Sequence, residues 1–152
     1  MVGVFAFPAL LPTFIEAWSL SKTEAGWIAG IYFAAYAVTV PLLVALTDRM
    51  DARRIYLFGA ILAAASSTGF AVAADGFWSA LVLRALAGVA LAATYMPGLR
   101  VLVDRYQGPR PSRALSFYTS SFSFGTAASF FLAGVLATAF GWPAVFVAAA
   151  IS

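Results

Sequence analysis

The chain has 152 residues, 63% of them hydrophobic and 10% charged, with a net charge of +3 and a mean hydropathy of +0.94. A soluble globular domain carries about 25% charged residues, so this composition excludes one. With no Cys and no His, the sequence also excludes a disulfide framework, thiol chemistry, zinc sites and histidine-based catalysis.

Six apolar runs follow one another, at about residues 2–18, 26–46, 55–73, 77–103, 114–140 and 143–152. A spanning helix needs roughly 20 apolar residues. Runs two to five meet that length, whereas run six gives about 15 Å of helix, half a membrane. Run one starts at the first residue without the basic flank of a secretory signal. We therefore expect an all-α, polytopic membrane helix bundle of about six helices, the first and last truncated, spanning residues 1–152 as a fragment of a longer protein.

The linkers fix an orientation. Trp18, Trp27, Trp78 and Trp142 sit at one end of the runs. Seven of the nine basic residues, Arg49, Arg53, Arg54, Arg100, Arg105, Arg110 and Arg113, cluster at the other end. Cytoplasmic loops collect Lys and Arg, and Trp settles at the membrane–water boundary. Linkers 47–54 and 104–113 should therefore face the cytoplasm, and linkers 19–25, 74–76 and 141–142 the outside. The lipid bilayer is the expected environment, in a plasma membrane of the bacterial inner-membrane type. The arginines are orienting charges rather than a nucleic-acid surface.

Within the runs, Pro8, Pro12, Pro41 and Pro97 predict kinks, because proline removes a backbone donor. Gly26, Gly30 and Ala34, Gly88 and Ala92, and Gly125 and Ser129 lie at four-residue steps that permit close helix approach. Run five carries a polar stripe, Ser116, Thr119, Ser120 and Ser123, with Tyr118 and Ser121 alongside. Either these hydroxyls bond back to their own helix, or they form the wall of an aqueous cavity.

Arg84 is the outlier. An Arg near a helix centre costs about 2.5–3.5 kcal/mol on insertion scales, against about 0.3–0.6 kcal/mol returned by each Leu, Phe or Val. Such an Arg marks a functional path or belongs to a structural ion pair, here with Glu16 of run one. The substrate-binding or coupling set read from the sequence is Arg84, Glu16, Tyr95 and Ser120. Runs two and four end alike, in Asp48-Arg49 and Asp104-Arg105. A carboxylate at a helix C-terminus opposes the helix dipole and needs cations nearby. Asp48, Arg49, Arg53, Arg54, Asp104 and Arg105 are therefore the expected cytoplasmic gating set. No nucleophile–base pair, metal set or phosphate-binding loop is visible, so no enzyme activity, metal or cofactor is expected.

The stretch from Val44 to Leu57 resembles the loop motif between helices two and three of the major facilitator superfamily, Gly-x-Leu-Ala-Asp-Arg-x-Gly-Arg-Arg/Lys-x-x-Leu. Asp48, Arg49, Arg53 and Leu57 match it; Val44, Asp51 and Ala52 depart from it. Arg84 and Gly88 resemble the family's helix-four Arg-x-x-x-Gly. Residues 129–134 lack the proline of the family's drug antiporters. The resemblance implies the N-terminal half of a twelve-helix secondary transporter. Helices one and four would line a midplane cavity, a small organic anion would suit Arg84, and the loop motif would latch the cytoplasmic face. It further implies three partners: a small-molecule substrate, a coupling ion such as a proton or sodium, and the missing second half. The rival expectation is a small membrane scaffold or assembly subunit without transport.

Overall fold

The computed structural model describes residues 3–105 and 111–151, with side chains described outside residues 101–115. The elements are α1 (Ala6–Ala9), α2 (Leu11–Ala17), α3 (Lys22–Thr47), α4 (Ala52–Ala73), α5 (Phe77–Arg105), α6 (Pro111–Phe140) and α7 (Trp142–Ile151). The architecture is an all-α bundle. Among the described residues, four helices are long and apolar enough to cross a membrane: α3, α4, α5 and α6.

The first apolar run is two short helices, not one. Pro8 and Pro12 each lack an N–H, so two i→i−4 bonds of a continuous helix cannot form. Leu10 sits at the break and donates its N–H to both Ala6 O (3.2 Å) and Phe7 O (3.1 Å). Pro41 and Pro97, by contrast, lie inside α3 and α5, which continue through them.

The helices start where polar side chains can cap them. Ser21 caps α3 in a reciprocal box: its Oγ accepts from Glu24 N (3.2 Å), and its own N–H donates to Glu24 Oε2 (2.8 Å). This cap places Lys22 and Glu24 in the helix rather than in the linker. Asp51, which departs from the loop motif, caps α4 by accepting from Arg53 N (2.9 Å). In the first turn of α5, Ser79 Oγ accepts from Asp75 N and Gly76 N of the preceding linker and donates to Asp75 Oδ1 (2.8 Å). Gly141 ends α6 at φ +82°, a left-handed conformation that glycine adopts without strain.

Helix α5 is the hub, packed between α3 and α4, while α7 lies against α4 and α6. Two glycines set the crossings. A Cβ at Gly88 would collide with the Tyr32 carbonyl of α3. One at Gly59 would lie 2.7 Å from the Ala93 Cβ of α5. Gly26 and Gly30 face open space, so the expected small-residue face of α3 does not pack on a described neighbour.

A cluster of aromatic rings ties α1, α2, α4 and α7 together. Phe7 stacks on Phe14 at 4.9 Å, Phe70 on Phe146 at 4.2 Å, and Phe14 meets Trp142 at 5.3 Å. Trp18 and Trp142 belong to this cluster, whereas Trp27 and Trp78 are exposed. Large apolar side chains such as Val38, Leu42, Phe58, Ile61, Phe124 and Phe131 are also exposed. Lipid, not water, is the solvent such a surface fits.

Candidate functional site: a buried arginine and an interhelical ion pair

Arg84 is only 2% exposed and projects from α5 against the start of the chain. Its Nη1 donates to Gly3 O (3.3 Å) and its Nη2 to Val4 O (3.1 Å). Val4 O is available because the residue four positions on is Pro8, which has no N–H to offer it. The guanidinium lies over the Tyr32 ring at 4.2 Å and near the Phe7 ring at 5.7 Å. Its Nε has no hydrogen-bond partner among the described residues. No described carboxylate pairs with it either. Glu16 is exposed and makes no ion pair with it, so the structural pairing read as an alternative from the sequence does not form here. Ser129 of α6, fully buried, accepts from Phe5 N (3.2 Å), so the first turn is held from two sides.

Beside Arg84 lies a cavity of about 350 Å³. Its walls come from the first turn, α3, α4, α5, α6 and α7, and include Tyr32, Ser66, Thr94, Tyr95 and Tyr118. Arg84 and Tyr95 are thereby brought to one site. Tyr118 Oη donates to Tyr95 O (2.8 Å), and the two rings lie 5.3 Å apart. Gly98 leaves room for that phenol: a Cβ there would lie 2.7 Å from Tyr118 Oη. Ser120 is exposed and does not line this cavity, nor does Glu16. In the α6 stripe, Thr119 Oγ1 donates to Ser116 O (3.1 Å) and Ser121 Oγ to Tyr118 O (2.6 Å), bonds back to their own helix. Of the stripe and its neighbours, Tyr118 reaches the cavity.

At the arginine-rich end of the bundle, Asp48 is the C-cap of α3, where the last carbonyls already carry partial negative charge. Arg100 of α5 compensates it. Arg100 Nη1 lies 2.6 Å from Asp48 Oδ1 and 2.8 Å from Thr47 Oγ1. Arg100 stands outside the gating set that the sequence suggests, although it lies one turn before Asp104 on α5. Arg49, Arg53 and Arg54 are exposed, and none forms an ion pair with a described residue. The side chains of Asp104 and Arg105 lie outside the described residues.

The family model described as Major Facilitator Superfamily matches residues 1–152. The chain belongs to the major facilitator superfamily. It is also similar to an uncharacterized MFS-type transporter, YwoD, of Bacillus subtilis (strain 168), with 34% identity over 128 residues. That match covers 84% of this chain and 28% of the relative, so the chain spans well under half the length of the curated protein it matches. This is a multi-pass membrane protein of a transporter family, and Arg84 and the Asp48–Arg100 pair are features of its helical bundle.

Proposed function

We propose that this chain is the N-terminal half of a longer secondary transporter that carries a small organic anion across a bacterial plasma membrane by alternating access. One observation carries the choice of an anion. Arg84 is buried beside a cavity and has no described carboxylate to neutralise it. A buried cation in low dielectric is costly unless paired, and a substrate carboxylate is the partner such a site lacks. Tyr95 and Tyr118 would complete the cavity wall on the cytoplasmic side. Asp48 and Arg100, with the flanking Arg49, Arg53, Arg54, Asp104 and Arg105, would gate the cytoplasmic face, and a proton or sodium gradient would drive the cycle.

The test is uptake. The complete reading frame is reconstituted in liposomes and challenged with radiolabelled carboxylates, neutral analogues and amines. Saturable, counterflow-competent uptake of carboxylates that is lost in Arg84→Ala, at equal protein per vesicle, supports the reading. Selective uptake of amines or neutral solutes, or carboxylate uptake indifferent to Arg84→Ala, overturns it.

A further inference from the structure

Among the described residues, the buried polar side chains are Ser66, Arg84 and Ser129. Ser66 donates to Ala63 O of its own helix (3.1 Å). Arg84 of α5 and Ser129 of α6 reach one short segment, residues 3–5, from different helices. Phe5 is the N-cap of α1 and has no side-chain cap of its own, so its N–H is one of the orphan donors that a helix start leaves. At membrane depth such a donor needs a protein acceptor, and Ser129 Oγ supplies it at 3.2 Å.

Val4 O and Phe5 N belong to one peptide unit. That unit is planar and trans, so its carbonyl and its N–H point in opposite directions. Arg84 Nη2 holds the carbonyl at 3.1 Å, and Ser129 Oγ holds the N–H at 3.2 Å. A rigid plane pinned at both ends cannot turn at one end alone. Each bond also polarises the amide and so strengthens the other. The neighbours leave the segment little slack: a Cβ at Gly3 would lie 2.9 Å from the Ala149 Cβ of α7, and the Phe5 ring stacks on Phe130 at 5.2 Å.

We infer that Ser129 is a positioning residue for Arg84: by fixing the Val4–Phe5 peptide it keeps Val4 O on the guanidinium, and so sets how readily Arg84 turns to an anion in the cavity. Without the Ser129 hydroxyl the peptide turns to find its N–H another acceptor, Val4 O leaves its alignment, and the guanidinium is freer. Any anion then displaces a weaker competitor. The effect on anion affinity rests on the proposed anion transport; the coupling between Ser129 and Arg84 does not.

The experiment uses the complete transporter in liposomes, with phenylglyoxal, a guanidinium reagent, as the probe and peptide mass spectrometry to read modification at Arg84. Ser129→Ala should quicken that modification by about two- to tenfold, the worth of one neutral hydrogen bond. Ser129→Thr keeps the hydroxyl and should stay near the wild-type rate. Val145→Ala removes buried packing in α7 and no hydrogen bond, so it should lower the Tm without quickening Arg84. Coupling is reciprocal, so Arg84→Met should in turn raise hydrogen exchange at the Phe5 amide, and this arm decides alone where Ser129→Ala does not fold. An Arg84 rate indifferent to Ser129→Ala overturns the inference. So does an equal rise in Val145→Ala at equal loss of Tm, which is general loosening, or Phe5 exchange indifferent to Arg84→Met. In the anion arm, acetate, benzoate and succinate are tested for protection of Arg84. The concentration giving half-protection should fall by about the same factor in Ser129→Ala. An unchanged or higher value overturns the effect on affinity. Absence of protection by all three overturns the anion site and leaves the coupling, read from the first two arms, standing.

Discussion

Arg84→Met is the sharpest single test of what the buried arginine does. Met has a comparable length and no charge or donor. Gly3 O and Val4 O lose their partners, and each orphaned carbonyl costs about 1–3 kcal/mol. Pro8 cannot rescue Val4 O, because it has no N–H. The face contact with Tyr32 at 4.2 Å goes as well, worth about 2 kcal/mol when desolvated. Against these losses stands the desolvation of a guanidinium 2% exposed with no described counter-charge, several kcal/mol that the variant recovers. Terms of similar size and opposite sign leave a net change in folding within about 3 kcal/mol. Transport has no such offset. Removing one charge-assisted hydrogen bond to a substrate carboxylate, about 1.5–3 kcal/mol, lowers kcat/KM about tenfold to a hundredfold. The assay pairs detergent melting, followed by fluorescence-detected gel filtration, with carboxylate uptake per folded molecule in liposomes. We expect a small shift in Tm with a large loss of uptake. A large fall in Tm with unchanged uptake per folded molecule would show that Arg84 only seats the first turn, and would refute the reasoning.

Gly88→Ala should lower detergent stability by about 1–3 kcal/mol or more, because its Cβ meets the backbone of Tyr32, which cannot turn aside. Gly30→Ala meets nothing within 4 Å and should be neutral or stabilising by about 0.5–1 kcal/mol; equal melting of the two variants would contradict the α3–α5 crossing. Asp48→Asn should favour the cytoplasm-open state. The pair is 41% and 66% exposed, so its worth is at most about 1 kcal/mol, a shift of about fivefold. Thiol labelling of Ala87→Cys from the cytoplasmic side should quicken by that factor, and Arg100→Gln should do the same without adding to it. Single cysteines replacing Ser21 or Asp75 should react with an impermeant thiol reagent on intact cells, and one replacing Ala52 only after permeabilisation; the reverse pattern would invert the topology.

Much of the fold lay open in the sequence because membrane helices are dictated by composition and length. A run of 20 apolar residues has few alternatives in lipid, and arginine-rich linkers orient it. Arg84 was legible for the same reason, since a charge in such a run stands out against its background. What stayed hidden depends on where one helix meets another. Gly59 with Ala63 is a four-residue step no more marked than the others, yet Gly59 sets the α4–α5 crossing, while the regular Gly26–Gly30 step faces open space. Arg100 looked like one member of a cytoplasmic cluster. Its pairing with Asp48 follows from the lateral approach of α3 and α5, 52 residues apart in sequence, which no spacing encodes. The break at Leu10 was half legible: Pro8 and Pro12 announced a kink, but two missing donors four residues apart split the helix. The α6 stripe left two readings open in the sequence, because Ser and Thr can satisfy their polarity on their own backbone, as Thr119 and Ser121 do.

Two features that each look unfavourable in the sequence answer one another in the structure. Pro8 leaves Val4 O without its helical donor, and an orphan carbonyl in lipid costs several kcal/mol. Arg84 brings a guanidinium into the bilayer at about 2.5–3.5 kcal/mol. Set 3.1 Å apart, the surplus donor meets the surplus acceptor, and each lessens the penalty of the other. The arrangement also links the candidate site to the first helix. Gly3 O and Val4 O hold the guanidinium, and Ser129 holds Phe5 N, so α5 and α6 grip the same turn. An anion drawing on Arg84 competes with those two carbonyls for its N–H groups. The weaker of the two bonds, at 3.3 Å to Gly3 O, is the one it would displace first. Binding would then loosen the grip on the first turn, and that loosening is a physical route from an occupied site to movement of α1 against α5.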